Sequence, residues 1–451
     1  MSDLLEQAER FLNSAKGAEE VEIYLASGVD TDVRAYQGEV EKLSNASSSG
    51  LGVRIMRDSA AGAQVGTAWV GSLDETAVAE AVREARDNAR FATEDEFVTF
   101  ARPDGVEPAT LQLSDESVLS FSLDEKIAMA IELERMVRDG DKRIRQVESA
   151  DYSDYVASAA IVSTTGIRAT YERSGAYVSV EAIATDGTSD QTGWGLSAGR
   201  SPAELDVAFA ARDAVLRATR MLGAVKPASM KGVAVFDPRT AATLFEVIGS
   251  ALSGEAVVRG RSFFKDRIGE EVASPTFTLL DDPTDPRHFS ASVYDGEGLA
   301  CRRNVMIENG RLVAFVYDTV SARRAGTTST GSAVRGGIAG SPSAGCRALQ
   351  LLPGDMSQED ILRHVGSGIF VESVSGVHSG VNPISGDFSV GITGLMIRNG
   401  QLAEPVREIT VASTLQRMLL DVIYVGNDVE WLPGGAAGQS IAIEGISVSG
   451  S

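Results

Sequence analysis

The spacing of apolar residues predicts that strands and amphipathic helices alternate through the first half of the chain. Over residues 51–55, apolar side chains alternate with small or polar ones, as they do in a half-buried strand. Three helix starts share one pattern, a serine followed three residues later by a glutamate, which satisfies free N–H groups of the first helical turn. They begin at Ser72, Ser122 and Ser201. Apolar residues at helical spacing follow each start, so three amphipathic helices are predicted.

The first and third of these helices each follow a glycine-rich strand region that contains a tryptophan, Trp69 or Trp194. This similarity indicates a weak internal duplication of the first half. Between the first two helices, residues 94–117 are acidic, contain proline and show no periodicity. They are therefore predicted to form a connecting loop.

The second half is richer in glycine, serine and turn patterns. Asn-Gly pairs stand between apolar runs at residues 309–310 and 399–400. Each pair predicts a hairpin, because a type I′ turn needs two residues with positive φ. Residues 326–346 are the loosest stretch and are predicted to form a surface loop, with a mobile loop near a cleft as the alternative.

These patterns predict an α+β protein of two domains, separated by a linker at residues 223–229. The N-terminal domain, residues 1–224, is predicted to be an α/β domain with capped helices and a mixed sheet. It can divide further into subdomains of about 1–115 and 116–224. The C-terminal domain, residues 230–451, is predicted to be β-rich with one prominent helix.

Composition narrows the classes of function. The 451 residues include 41 Lys and Arg against 63 Asp and Glu, for a formal net charge of −22. This charge repels phosphate backbones and anionic lipids, so neither nucleic acid nor a membrane is an expected partner. No apolar run approaches the roughly 18 residues that span a bilayer, and the acidic N-terminus is unlike a secretory signal, so a cytoplasmic location is expected. Two cysteines, Cys301 and Cys346, form neither a disulfide framework nor a C-x-x-C motif.

Familiar catalytic motifs are weak or absent. Residues 195–199 match the G-x-S-x-G of serine hydrolases, but the predicted helix begins at Ser201, too late for a serine exposed on a strand-to-helix turn. The histidines His288, His364 and His378 show no metal-ligand spacing. Each is predicted to be a surface or hydrogen-bonded residue, and His378, in a glycine-rich loop, is the alternative candidate ligand.

The helix predicted over residues 238–253 has two distinct faces. Asp237 suits the N-cap and Pro238 the first helical position. The apolar stripe comprises Ala241, Leu244, Phe245, Ile248, Ala251 and Leu252, and the second, small and polar face comprises Glu246, Gly249, Ser250 and Ser253. The pattern alone predicts a core helix with one solvated edge.

Seven short segments, the first of them on this helix, occur in order along the second half. They span residues 245–250, 259–263, 269–274, 294–298, 317–323, 385–389 and 425–428. In this order they resemble the TldD/PmbA (TldE) family over essentially all of residues 230–451. The resemblance implies metallopeptidases with an N-terminal α/β domain and a β-rich C-terminal domain.

In the catalytic TldD-type subunit of this family, the helix carries H-E-x-x-x-H, and a cysteine near the C-terminus completes the zinc site. Here Phe245 and Ser250 occupy the two histidine positions and Glu246 the glutamate position, while no cysteine follows Cys346. Phenylalanine offers no lone pair and serine is a poor zinc ligand. The resemblance therefore implies a PmbA/TldE-type chain without zinc ligands. Glu246 keeps the general-base position with no metal-bound water to activate, and no other catalytic residue is predicted.

The resemblance implies a subunit of a TldD/TldE-type metallopeptidase in intracellular proteolysis of small or unfolded peptides and in peptide-precursor maturation. No cofactor is expected in this chain; zinc is expected in a TldD-type partner within a heterodimer or larger assembly, with a homo-oligomer as the alternative. Two other functions remain open, a self-sufficient metallopeptidase that uses His378 and Glu246, and a peptide-binding scaffold without a proteolytic partner. The older family label, modulator of DNA gyrase, does not imply DNA binding because the net charge opposes it.

Overall fold

A computed structural model describes residues 2–450 of the chain. The first half forms the helices α1 (Ser2–Ala15), α2 (Glu75–Ala89), α3 (Ser117–Ser120), α4 (Leu123–Gly140) and α5 (Val207–Arg220), and the strands β1 (Glu20–Tyr36), β2 (Glu39–Ser59), β3 (Gly62–Val70), β4 (Ile144–Ser163), β5 (Arg168–Thr185) and β6 (Asp190–Gly199). The strands form one sheet in the order β3-β2-β1-β4-β5-β6.

This sheet consists of two similar halves. Each half is a helix, three strands and a second helix: α1-β1-β2-β3-α2 and α4-β4-β5-β6-α5. Strands β1 and β4 pair at the centre, and a separate apolar core lies under each half. Trp69 lies in the third strand of the first half and Trp194 in the third strand of the second. The topology thus contains the internal duplication that the tryptophan pattern indicates.

The strand pairings of this sheet are all antiparallel, so the predicted mixed sheet was wrong. Consecutive strands within each half are joined by short turns, whereas a parallel pair needs a crossover of about a dozen residues or more. The helices that alternate with strands along the sequence lie before and after each three-stranded unit. They do not connect neighbouring strands.

Of the three predicted serine caps, only that of Ser122 is confirmed. Ser122 Oγ accepts the N–H of Glu125 at 3.3 Å, and the Glu125 carboxylate accepts the N–H of Ser122 at 2.9 Å. Helix α2 is capped by Asp74 and helix α5 by Asp206. Ser201 precedes only a short 3₁₀ turn. In both other cases an aspartate, which caps as well as serine does, stands closer to the helix.

The second half contains the helices α6 (Pro238–Ala251), α7 (Gly254–Val258), α8 (Thr319–Ala325), α9 (Gln358–Val365), α10 (Val377–Gly380) and α11 (Leu415–Leu420). Its strands are β7 (Met230–Phe236), β8 (Leu279–Asp281), β9 (Asn304–Glu308), β10 (Arg311–Leu312), β11 (Ala333–Val334), β12 (Ser343–Ala344), β13 (Leu349–Leu351), β14 (Ser367–Ser375), β15 (Asp387–Arg398), β16 (Gln401–Thr414), β17 (Val422–Val425) and β18 (Ile441–Ser449). Across residues 2–450, no helix combines the length and the apolar character needed to cross a membrane.

The main sheet of this half closes on itself. Its order is β16-β15-β14-β7-β18-β17, and β16 also pairs with β18. Both predicted hairpins form, with positive φ at Asn309 and Gly310 (47° and 81°) and at Asn399 and Gly400 (50° and 75°). With 14 residues, α6 is the prominent helix of a β-rich region, so the predicted α+β fold class is confirmed.

Residues 326–346 are not a loose surface loop. They include β11 and β12 and pack against the N-terminal sheet, where Arg335 forms an ion pair with Glu22 of β1. A Cβ atom on Gly52 of β2 would lie 2.2 Å from the carbonyl oxygen of Ile338. The segment therefore forms a tight contact between the two halves of the chain.

Candidate functional site

Helix α6 carries the residues that the family resemblance marks, and Asp237 fixes its amino end. The Asp237 carboxylate accepts the N–H groups of Arg239 at 2.9 Å and Thr240 at 3.1 Å, and Pro238 opens the first turn. The predicted apolar stripe is buried as expected. Its members are each at most 5% exposed: Ala241, Leu244, Phe245, Ile248, Ala251 and Leu252.

Phe245 lies entirely in the core of the second half. Its ring meets the ring of Phe277 edge-on, with centroids 6.2 Å apart and planes at 73°. Its neighbour Glu246 and, one turn later, Ser250 are exposed. The two positions that the resemblance aligns with histidines of the TldD-type subunit therefore face different environments here, one apolar and one aqueous.

Glu246 holds a loop of the second half in place. Its Oε1 accepts the N–H of Gly435 at 2.9 Å. Residues 430–438 form this loop, which two hydrogen bonds between Glu430 and Gly438 close at 2.8 and 3.0 Å. A Cβ atom on Gly434 or Gly435 would approach Glu246 Oε1 to 3.2 or 3.3 Å, so glycine permits the close contact.

The predicted polar face of α6 is only partly correct. Ser250 is exposed, and its hydroxyl donates to the carbonyl of Val247 at 2.7 Å. Gly249 and Ser253 are buried, and a Cβ atom on Gly249 would lie 2.4 Å from a methyl carbon of Leu349. The side of α6 that faces away from the core carries Arg239, Thr243, Glu246 and Ser250, at helical spacing.

The residues on α6 do not fit a zinc ion. Zinc takes imidazole, thiolate or carboxylate ligands, and positions 245 and 250 offer a phenyl ring and a hydroxyl. The helix runs unbroken over Pro238–Ala251, without the local widening that would bring these two positions to one side. Within residues 2–450, no three His, Cys, Asp or Glu side chains form a group that could hold a metal ion.

The three histidines lie in separate parts of the second half. His364 on α9 donates through Nδ1 to the carbonyl of Asp360 at 2.8 Å, and His378 on α10 is exposed. His288 differs from the prediction because it is buried, with its ring edge-on to Trp431 at 4.8 Å and no hydrogen-bond partner at Nε2. Burial lowers the pKa of His288 to about 4, so it is neutral at physiological pH.

The surroundings of Ser197, Cys301 and Cys346 do not suit a catalytic nucleophile. Ser197 lies within β6, and its Oγ accepts the N–H of Asp206 at 2.8 Å, so no nucleophile elbow forms. Cys301 and Cys346 are free thiols. Burial raises the pKa of Cys301 to about 12 and also raises the pKa of Cys346, which leaves both thiols protonated and unreactive.

A cleft of about 410 Å³ separates the two halves of the chain beside α6. From the first half it is lined by residues 191–194 of β6 and by α5. From the second half, Thr243, Glu372 and Thr393 contribute its wall. On α6 the cleft is lined by Arg239, Thr240 and Thr243, and Thr243 lies one turn before Glu246 on the same side of the helix.

A buried network of charges joins the halves at this cleft. Arg217 of α5 pairs with Asp237 at 2.9 Å and with Glu372 at 3.6 Å, and Arg220 pairs with Glu372 at 2.6 Å. Burial raises the pKa of Glu372, although both arginines lower it. Breaking such a desolvated pair is costly, so the network holds α5, α6 and β14 in fixed positions.

Arg239 of α6 links this network to an aromatic side chain. Its guanidinium lies over the indole of Trp194, 5.3 Å from the ring centroid, and pairs with Asp213 of α5 at 2.7 Å. Trp194 remains 44% exposed at the cleft. In the sequence, Trp194 stood out only as a sign of duplication. Trp194 and Arg239 are far apart in the chain, so no local pattern shows that they are close in the fold.

Comparisons with known proteins match one group of proteins over most of the chain. Three domain families match in order, described as PmbA/TldA metallopeptidase domain 1 over residues 21–89, the central domain over 116–222 and the C-terminal domain over 229–450. A curated relative, Metalloprotease PmbA of Escherichia coli O157:H7, is 28% identical over 91% of this chain and 88% of its own length. A PmbA homolog of Haemophilus influenzae is 25% identical over 97% and 93% of the two chains.

Solved structures show the same fold. A proposed DNA gyrase modulator from Thermotoga maritima superposes with a TM-score of 0.89 at 25% identity, covering 98% of this chain and 99% of that one. TldE from Thermococcus kodakarensis superposes with a TM-score of 0.88 at 24% identity over the full length of both chains. From the three matched domains and the curated relatives, this chain belongs to the PmbA/TldD metallopeptidase family.

Proposed function

We propose that this chain is a PmbA/TldE-like subunit that forms part of the peptide-binding chamber of a TldD/TldE-type metallopeptidase, while a TldD-type partner supplies the zinc. One observation carries the proposal: Phe245 is packed in the core at a position where the catalytic type needs an exposed ligand. Glu246, the retained glutamate, is engaged with Gly435. The contacts of Phe245 and Glu246 therefore support the packing of the fold and not a catalytic role.

The proposed process is intracellular proteolysis of small or unfolded peptides, including peptide-precursor maturation. The cleft beside α6 supports a role in holding such substrates. It offers a half-exposed indole, Trp194, and hydroxyl groups at Thr243 and Thr393 along one wall. Aromatic faces with a few polar groups suit extended peptides of varied sequence.

The first experiment measures zinc content and peptide hydrolysis for the chain alone, for a TldD-type subunit from the same source alone, and for the two co-expressed. We expect zinc in the partner and in the complex, at about one ion per partner chain, and hydrolysis by the complex. Chelator-sensitive hydrolysis by this chain alone would contradict the proposal and favour the self-sufficient peptidase. Tight peptide binding without association or hydrolysis would favour the scaffold.

A second experiment tests the cleft with paired tryptophan variants of the co-expressed complex. Trp194→Ala is expected to raise the KM for peptide hydrolysis several-fold with little change in kcat, because it removes a binding surface and no reacting group. Trp69→Ala is the matched control, since Trp69 occupies the corresponding strand of the other half and is 59% exposed. Equal effects of the two variants would exclude a specific role for the cleft.

A further inference from the structure

A second cleft, of about 650 Å³, lies between residues 99–106 of the first half and helix α8 of the second. We call it the arginine cleft, because Arg102, Arg302 and Arg323 all line it. It shares no lining residue with the cleft beside α6. Sites for small ligands usually enclose about 300–1,000 Å³, so the arginine cleft has a suitable size for one.

Two of the three arginines are paired with carboxylates of the chain. Arg102 pairs with Glu20, and Arg302 Nη2 pairs with Asp104 at 2.5 Å. Arg302 Nε is buried and has no hydrogen-bond partner within residues 2–450. Asp104 therefore leaves one donor of this guanidinium unmet.

The third arginine differs from its neighbour on α8. Arg324 pairs with Asp95 at 2.5 Å and lies over the ring of Phe97. Arg323 forms no ion pair in the described part of the chain, and its Nη1 donates only a long hydrogen bond, 3.4 Å, to the carbonyl of Val98. Acidic residues outnumber basic ones by 22 in this protein, so an unpaired guanidinium at a cleft is unusual.

The charges at the cleft favour a ligand with one negative charge. Three guanidinium groups face two carboxylates, Asp104 and Glu20, which leaves one positive charge. Glu297 lies behind Thr319 of the lining, and burial with repulsion from nearby carboxylates raises the pKa of Glu297 to about 8, so it is uncharged at pH 7. A phosphate dianion or a nucleic acid brings more negative charge than the cleft balances.

The other lining residues add hydroxyl groups and an apolar wall. Thr327 and Thr328 are exposed and directly follow the C-cap of α8. Phe100 and Leu299 are buried, at 1% and 4% exposure, and form part of the lining. A carboxylate with an apolar group attached matches this combination, whereas a free inorganic anion has no use for the wall.

We propose that the arginine cleft binds the C-terminal carboxylate of a short peptide, with Arg323 as the counter-charge and the last apolar side chain against Phe100 and Leu299. A guanidinium offers two parallel N–H donors, which fit the two oxygens of a carboxylate. The proposal rests on the proposed function only for the choice of a peptide as the ligand. Its test measures binding to this chain alone and requires no hydrolysis.

The test is isothermal titration calorimetry of the full chain with the peptide acetyl-Ala-Ala-Ala-Leu and with its C-terminal amide. The acetyl group removes the ammonium, so the two ligands differ only at the carboxylate. We expect the acid to bind about ten-fold more tightly than the amide, because the amide cannot form a charge-assisted hydrogen bond as an acceptor. Inorganic phosphate is expected to compete weakly.

The variant Arg323→Gln should weaken binding of the acid about ten-fold and leave binding of the amide unchanged. Arg323 is exposed and makes one long hydrogen bond, so the variant is expected to fold. Arg303→Gln is the matched control, since Arg303 is an exposed arginine next to Arg302 that does not line the cleft. Its affinity for the acid is expected to stay within about two-fold of native.

Hydrogen exchange on the unmodified chain gives a second measurement that does not depend on a variant. The acid, and not the amide, is expected to slow amide exchange within residues 326–329. Equal binding of acid and amide, no binding of either at millimolar concentration, or equal losses in the two variants would overturn the proposal. Phosphate that binds more tightly than the peptide would assign the cleft to free phosphate and overturn it equally. A complex that hydrolyses peptides while these tests fail would leave the proposed function in place and remove only this site.

Discussion

Two buried glutamates at the contact between the halves experience opposite electrostatic environments. Glu22 of β1 is 2% exposed and pairs with Arg54 at 3.1 Å and with Arg335. Burial raises its pKa, but the two arginines more than offset this, so the pKa of Glu22 lies below its usual range. This carboxylate is charged and fully compensated.

Glu297 is 1% exposed, and among the described residues no ion pair offsets its charge. Its carboxylate accepts the N–H and hydroxyl of Thr319 at 2.9 and 2.6 Å. Burial, with repulsion from Asp295 and Asp318, raises the pKa of Glu297 to about 8. Residue type and burial are the same at both sites, so the neighbours alone decide whether a buried glutamate is an ion or an acid.

The two regions also touch, because Arg335 donates from Nε to the carbonyl of Gly296 at 3.0 Å, next to Glu297. The pH dependence of their contributions has opposite sign. Glu22 stabilises the fold above the usual glutamate pKa, and this contribution is lost as pH falls through its lowered value. Glu297 binds a proton in the folded state that the unfolded chain releases, so the free energy of unfolding falls as pH rises from about 4.5 to about 8.

The largest effect is expected from Arg335→Met, which removes one of the two cations from Glu22. We expect the free energy of unfolding at pH 7 to fall by about 3 kcal/mol, because a buried charge loses a partner and Tyr24 loses the guanidinium over its ring. Urea unfolding measures the change. Arg135→Met is the control, since its exposed ion pairs on α4 are worth less than about 1 kcal/mol. Similar losses in the two variants would contradict the assignment.

Glu22→Gln is expected to destabilise by about 2 kcal/mol at pH 7, because Arg54 and Arg335 are left without a buried counter-charge. The difference from the native chain should shrink as pH falls below the usual glutamate pKa of about 4.5, since the unfolded chain then binds a proton that native Glu22, with its lowered pKa, does not. Thermal unfolding between pH 3 and pH 7 tests this. A gap that stays constant over that range would show that packing, not charge, is lost.

Glu297→Gln should have the opposite sign. We expect it to stabilise by about 1–2 kcal/mol at pH 8 and by little at pH 5, because the neutral amide removes the cost of keeping a proton on Glu297. Unfolding experiments at both pH values, on the native chain and the variant, measure this difference. Destabilisation that is equal at the two pH values would indicate that the native Glu297 is ionised in the fold.

Glu246 provides the solvated reference for these two buried residues and should show the smallest effect. Glu246→Ala removes one exposed hydrogen bond to Gly435, so we expect less than about 1 kcal/mol in stability. In the co-expressed complex, peptide hydrolysis should keep most of its kcat. Glu246→Gln, whose amide oxygen can still accept the N–H of Gly435, is the control. A loss of several orders of magnitude in both variants would instead make Glu246 a catalytic base.

Much of the fold was accessible from local sequence patterns. The Asn-Gly turns, the capped α4 and the buried stripe of α6 depend on interactions within a few residues, and each formed as predicted. The mixed sheet was wrong because periodicity shows that strands exist but not which strands pair. His288 was predicted to be a surface or hydrogen-bonded residue, but it is buried and its Nε2 has no hydrogen-bond partner. Its burial depends on contact with Trp431, far along the chain, which no local pattern shows.

The features of the candidate site also fall into two groups, those that follow from single residues and those that depend on contacts between distant residues. The chain by itself determined that Phe245 and Ser250 offer no zinc ligand, since that follows from the atoms of their side chains. Only the tertiary structure decided that Phe245 packs on Phe277, that Glu246 holds the loop at Gly435, and that Trp194 meets Arg239 at a cleft. Local chemistry belongs to residue identity, whereas burial, pairing and charge state arise from contacts between distant segments, which no short pattern encodes.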